Sequence, residues 1–173
     1  MTSLALTIRH ETPFDNDSIE RMHERAFGPG RFARTAYRLR EGVQPVAELS
    51  FVAVVGTLIV GSIRLTPVDA GGQPALVLGP LTVEPAFMDR GIGAALMTTA
   101  LDAAREQGHG LVILVGDKPY YQRFGFEVVP RGKLVLPGPV DPSRFLYSEL
   151  RPGALAAAQG AVRAMAEPAL LPA

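Results

Sequence analysis

Arg90-Gly91-Ile92-Gly93, with Asp89 before it and Ala94 after it, is the stretch of this chain best suited to chemistry. Glycines at a helix start leave backbone N–H groups uncovered, and the positive end of the helix dipole points the same way. Both favour an anion such as phosphate. Arg90 adds a permanent positive charge beside them. Residues Asp89, Arg90, Gly91, Ile92, Gly93 and Ala94 therefore form an expected pyrophosphate site, with a plain tight turn as the competing account. Two familiar nucleotide motifs do not fit. A dinucleotide fingerprint needs a third glycine where Leu96 stands, glycines directly after the strand, and an acidic residue about 20 positions on. A P-loop needs Lys-Ser/Thr after its last glycine, and Gly93 is followed by Ala94-Ala95.

The elements that must position this site alternate between β and α. Leu4 to Arg9 alternates as a first strand, and Asp15-Asn16-Asp17-Ser18 offers N-caps for a helix to about Phe27. Phe32 to Arg40 predicts a second helix, with Gly42 just past its end. Ala47–Val55 and Leu58–Leu65 predict two strands joined at Gly56-Thr57, and Pro67 to Pro74 a polar loop. A strand over Ala75–Val83 leads to the glycine-led helix, which runs to about Gln107 with Leu96, Ala100 and Ala103 at core spacing. Leu111 to Val115 is a continuous apolar run, as in a central parallel strand buried on both faces. Asp117 is placed to cap a short helix through Tyr120 and Tyr121. Phe126–Val129 and Arg144–Leu150 complete the strands, before an alanine-rich tail expected to be partly helical at most.

Composition narrows the function classes. The 173 residues are 47% hydrophobic, enough for one sizeable core. Seventeen Lys and Arg balance seventeen Asp and Glu, so no global field draws in nucleic acid or an anionic membrane. The absence of cysteine removes disulfides and thiolate chemistry and fits a reducing cytoplasm. No signal peptide is expected, and the apolar stretch Leu49–Ile63 is too interrupted to span a membrane. His10, His23 and His109 show no metal-ligand spacing, so no metal is expected, and surface or loop positions are expected for all three.

Taken together, Leu81-Thr82-Val83, Arg90-Gly91-Ile92-Gly93-Ala94 and Tyr120-Tyr121-Gln122-Arg123-Phe124-Gly125-Phe126 resemble the acyl-CoA-binding motifs of the GNAT superfamily of N-acetyltransferases. The segment Leu114-Val115-Gly116-Asp117, running into the third motif, is similar to a bacterial branch of small members. The likeness covers roughly residues 4 to 150. It implies an α/β (α+β) fold with a mixed, largely antiparallel sheet of about six to seven strands, a parallel, splayed central strand pair, and helices on both faces. It implies one acyltransferase domain over residues 1–150, with residues 151–173 packing on it or trailing from it.

The same resemblance implies acetyl-CoA, or another acyl-CoA, as co-substrate. Leu81, Thr82 and Val83 would run along the pantetheine arm, with Val83 backbone groups left without a sheet partner. By motif position Tyr121 is the tyrosine near the CoA sulfur, able to donate to a departing thiolate, whereas packing is expected for Tyr120. The general base stays open among Glu48, Glu84, Asp117 and a water chain, with Glu84 expected to face solvent. Met88 replaces the usual Gln or Arg before the glycines, and Gly116-Asp117 stand where asparagine is common. Phe14, Phe27, Phe32 and Tyr37 lie on segments that wall the acceptor cleft in relatives. The expected activity is acetyl transfer to a primary amine of a small molecule or peptide in a ternary complex. The alternatives are a non-catalytic CoA-binding module and an interaction domain without cofactor. The resemblance is compatible with a homodimer, since relatives are often dimers, but no sequence feature demands one.

Overall fold

The computed structural model describes residues 5–28, 30 and 34–165. The strands are β1 (Leu6–His10), β2 (Phe51–Val55), β3 (Leu58–Ala70), β4 (Gln73–Val83), β5 (Leu111–Val115), β6 (Glu127–Val128), β7 (Leu134–Val135), β8 (Phe145–Glu149) and β9 (Gly160–Ala164). The helices are α1 (Asn16–Phe27), α2 (Thr35–Arg40), α3 (Ile92–Glu106) and α4 (Lys118–Tyr121). Strand order is β1-β2-β3-β4-β5-β8-β6, antiparallel except for the parallel β4–β5 pair. β9 extends the sheet antiparallel to the far end of β3 and pairs in parallel with the short β7.

The strand pair β4–β5 lies at the centre because both of its faces are apolar. Leu76, Leu78, Val112 and Leu114 point into one core with α3, while Ala75, Val77, Leu111 and Ile113 point into another with α2 and β9. Alternation within an uninterrupted apolar run is what burial on two faces requires. Helix α3 carries Ile92, Leu96, Met97, Ala100, Leu101 and Ala104 into the first core, and Asp102, Arg105 and Glu106 are exposed as their spacing predicts. On the opposite face α1 sets Ile19 and Met22 against Val52.

Several elements differ from expectation. The Pro67–Pro74 segment is not a loop: β3 continues to Ala70 and β4 begins at Gln73, because Val68 and Ala70 are fully buried. The turn between them is narrow, with Asp69 Oδ1 accepting from the Gly72 N–H at 2.9 Å. Ala47–Leu49 is a 3₁₀ turn, so the second strand starts only at Phe51. The tail is not helical over Gly160–Ala164 but forms β9, since Val162 alternates into the core beside Leu155 and Ala158. Helix α2 begins at Thr35, and Phe32 lies outside the described residues.

The cap of α1 also departs from the simple pattern. Asp15 holds the N-cap position, yet its carboxylate does not bond the helix. Oδ2 accepts from Arg9 Nη1 at 2.8 Å and from the Thr12 N–H at 2.7 Å, and Oδ1 accepts from Arg9 Nη2 at 2.9 Å. These bonds, the Arg9 fork above all, lower the Asp15 pKa to about 2 against the cost of burial. A depressed carboxylate stabilises the fold above its unfolded pKa, and that contribution is lost as pH falls through the folded value. Asp15→Ala is therefore expected to cost about 1–2 kcal/mol at neutral pH, less than the full shift because Arg9 is largely exposed. In urea denaturation the gap between variant and wild type should narrow as pH drops toward about 2.

Candidate active site

The parallel pair opens where the chemistry is expected. β4 and β5 pair only at Leu76–Val112 and Val77–Ile113. Beyond Val77, β4 continues to Val83 with β3 alone beside it. The cause is a bulge: Ile63 pairs with Leu81 but Leu65 with Leu78, so β4 carries an extra residue around Gly79-Pro80. A bulge bends its strand and increases its twist. Gly-Pro inside a strand was the available signal for it.

Backbone direction beyond the bulge follows from one bond. The Glu84 N–H donates to the Val60 carbonyl at 2.8 Å, so Glu84 faces β3. Successive residues alternate, which turns the N–H and C=O of Val83 and Leu81 toward the open edge. Thr82 faces β3 and its side chain is buried.

At the far side of the opening α3 starts. Gly91, its N-cap, is left-handed at φ 79°, and no side chain caps the helix. The first-turn amides of Ile92, Gly93 and Ala94 therefore keep their donors for an anion. Asp89 is the one non-glycine residue with positive φ among the described residues, at 63°. Arg90 is exposed, its guanidinium 5.4 Å from the Phe87 ring, and Met88 is exposed as well.

The tyrosines of α4 close the other end of the notch. Tyr121 packs edge-on against Phe126, ring centroids 6.0 Å apart. Its ring fits because Gly116 has no side chain: a Cβ there would lie 2.5 Å from Tyr121 Cε2. Burial, with the nearby Tyr120 and Asp117 charges, raises the Tyr121 pKa to about 12. Tyr120 packs on Tyr121 and Phe124 as expected, but it also reaches across: a Cβ on Gly93 would lie 2.7 Å from Tyr120 Oη.

Between the notch, α1 and α2 lies a cleft of about 810 Å³ that includes Tyr121, the β4 bulge, Phe27 and Tyr37. Phe14 takes no part in it and is almost fully exposed. The proposed bases separate clearly. Glu48 is exposed and outside the cleft. Glu84 is not solvent-facing, because Arg25 of α1 pairs with it. Asp117 does not cap α4 with its side chain, which pairs with Arg144; only its carbonyl receives the Tyr120 and Tyr121 N–H groups, at 3.1 Å each. His23 is not a surface residue: it is 4% exposed and lines the cleft beside Glu20, with Nδ1 3.8 Å from Oε1. It faces inward because α1 presents Ile19, Met22 and His23 to the sheet side. That helix face could have signalled it; isolated histidine spacing could not.

Residues 47–128 match the model of the acetyltransferase (GNAT) domain. The chain is 30% identical over 160 residues to the uncharacterized N-acetyltransferase YhbS of Escherichia coli, covering 91% of this chain and 95% of that one. The chain belongs to the GNAT family of N-acetyltransferases. A second Escherichia coli relative, the uncharacterized N-acetyltransferase YjhQ, is 30% identical over 131 residues, 70% of this chain and 72% of that protein. The crystal structure of Escherichia coli YhbS in complex with CoA superposes with a TM-score of 0.80 at 28% identity, covering 95% of this chain and 92% of that one. A Brucella melitensis GNAT acetyltransferase in complex with acetyl-CoA gives a TM-score of 0.61 at 29% identity, covering 83% and 96%. The mixed, mostly antiparallel sheet with its one parallel pair at β4–β5 thus matches the fold of this family, and the enzyme class is that of an N-acetyltransferase.

Proposed function

We propose that this GNAT acetyltransferase transfers the acetyl group of acetyl-CoA to a primary amine by direct attack within a ternary complex. One observation carries the proposal: the open edge at Leu81 and Val83 faces, across the same notch, an uncapped helix start at Gly91–Ala94. The first can pair with the amides of a pantetheine arm as a strand pairs with a strand. The second can hold the diphosphate, aided by Arg90. Asp89 and Thr82 belong to the same cofactor wall, the one shaping the turn and the other anchoring β4 to β3. Cofactor binding by the two relatives solved with CoA and acetyl-CoA supports this use of the notch.

Acyl-CoA supplies the thioester carbon on which the amine forms its bond as the C–S bond breaks. Tyr121 then donates its phenolic proton to the departing sulfur; its raised pKa keeps it protonated at neutral pH. The backbone N–H groups at the open edge of β4 polarise the carbonyl. The incoming ammonium must lose a proton, and the His23–Glu20 pair facing the cleft is placed to take it. Residues 1–150 carry this machinery, and the following segment completes the sheet as β9.

Thermal unfolding with CoA tests the proposal. Ligand that binds only the folded state stabilises it by about 2.7 kcal/mol at a hundred times its dissociation constant. For a domain of this size that is a rise of about 5–10 °C. Unchanged unfolding at millimolar CoA would remove the cofactor and the reaction with it.

A further inference from the structure

The arginines around the acceptor cleft differ in how they are satisfied. Arg64 is saturated: Glu11 receives its fork at 2.7 and 3.0 Å, and Glu20 accepts from Nη1 at 3.2 Å. Arg144 is paired with Asp117, and Arg34 lies 5.1 Å from the centre of the Phe27 ring. The side chain of Arg40, the last residue of α2, has neither an ion pair nor a hydrogen bond among the described residues, although it is partly buried in the cleft wall. Its Nη1 lies 3.0 Å from where a Cβ on Gly79 would be, so it touches the β4 bulge one step from the open edge at Leu81.

A second unpartnered group faces the same space. Thr66 on β3 is 1% exposed, lines the cleft, and its hydroxyl has no hydrogen-bond partner among the described residues. Burial, together with the neighbouring Arg64 and Arg34 charges, pulls the Arg40 pKa down to about 10, against the pull of Tyr37 and Glu20; it stays charged at neutral pH. A buried cation without a partner is costly, and a planar guanidinium fork is best met by a carboxylate.

We propose that the acceptor is an amine bearing a carboxylate a few bonds away, as in an α-amino acid, and that Arg40 binds this carboxylate at the bulge with Thr66 beside it. This rests on the N-acetyltransferase function proposed above. The geometry gives Arg40 two effects. It fixes the acceptor so that the nitrogen meets the thioester at the notch. Its positive charge also disfavours the protonated amine, easing loss of the proton before attack.

The test compares amines with and without the carboxylate, using the full-length protein saturated with acetyl-CoA. Each amino acid of a standard panel is paired with its amide and its decarboxylated amine, for example tyrosine with tyrosinamide and tyramine. We expect the best carboxylate substrate to exceed its two partners by at least about tenfold in kcat/KM. In Arg40→Gln that ratio should collapse toward one, while calorimetry still detects CoA binding; Arg40→Lys should restore part of it. Amides or decarboxylated amines equal to the acids in the wild type would overturn the proposal, whatever the variants do. So would faster transfer from succinyl-CoA than from acetyl-CoA that depends on Arg40, since the carboxylate would then arrive on the donor. A preference for phosphate-bearing amines would overturn it too. Loss of CoA binding by the wild type would instead refute the acetyltransferase assignment itself, a distinct result.

Discussion

Tyr121→Phe should lower amine acetylation by about 100-fold while leaving CoA affinity close to wild type. A positioned acid contributes about 10²–10⁴-fold, and a thiolate leaving group asks for the lower end of that range. The phenol is buried against Phe126 and Gly116, so removing only its oxygen keeps the packing. The pH profile makes the assignment sharper. An acid must be protonated, and this one loses its proton only near pH 12. The rate should therefore rise with pH as the acceptor amine deprotonates, and Tyr121 itself adds no falling limb below that value. The variant should keep the rising limb at a lower level. Turnover within about twofold of wild type would take the donor role from Tyr121. A wild type that binds CoA but transfers nothing would favour a non-catalytic binding module.

Leu96→Ala should destabilise the fold by about 3–4 kcal/mol, a loss of about 10 °C in Tm. Leu96 is fully buried at the crossing of α3 and β3. The crossing is close because Gly61 has no side chain: a Cβ there would lie 3.0 Å from Leu96 Cδ1 and 3.2 Å from both Ile92 Cγ2 and the Thr82 carbonyl oxygen. Gly61→Ala alone should cost about 1–3 kcal/mol through overpacking. Combined with Leu96→Ala, the new methyl enters the space the leucine vacates, so the double variant should be less destabilised than the sum of the singles. Equilibrium denaturation of the four proteins measures this coupling, and strict additivity would refute the contact.

The two cores were legible in the sequence to different depths. The apolar run Leu111–Val115 and the 3.6-residue spacing of α3 are local signals, and both elements form as that spacing predicts. The glycine-led start of α3 is equally local, and the structure leaves it uncapped with Gly91 left-handed. The β4 bulge was harder to see, because its signal is a two-residue Gly-Pro and its effect is on a strand pairing. β9 was hidden because alanine-rich segments favour helix, and only pairing with β3 overrides that preference. The cleft side chains Arg40, Thr66 and His23 come from three elements far apart in sequence, so no spacing could join them. Glu84 was expected to face solvent and Asp117 to cap α4 with its side chain, because the Arg25 and Arg144 that pair with them come from distant segments.

The ninth strand has a bearing on how the protein is handled. It covers Val68–Ala70, the part of β3 that outruns β2, and the Gly71 N–H and carbonyl bond to Ala161 and Gln159. A shortened version ending before Gly160 would bare that rim as a ready template for self-association. Shortened versions of this protein should therefore keep the rear segment through Ala164, as they should keep β1, which covers β2 at the other rim.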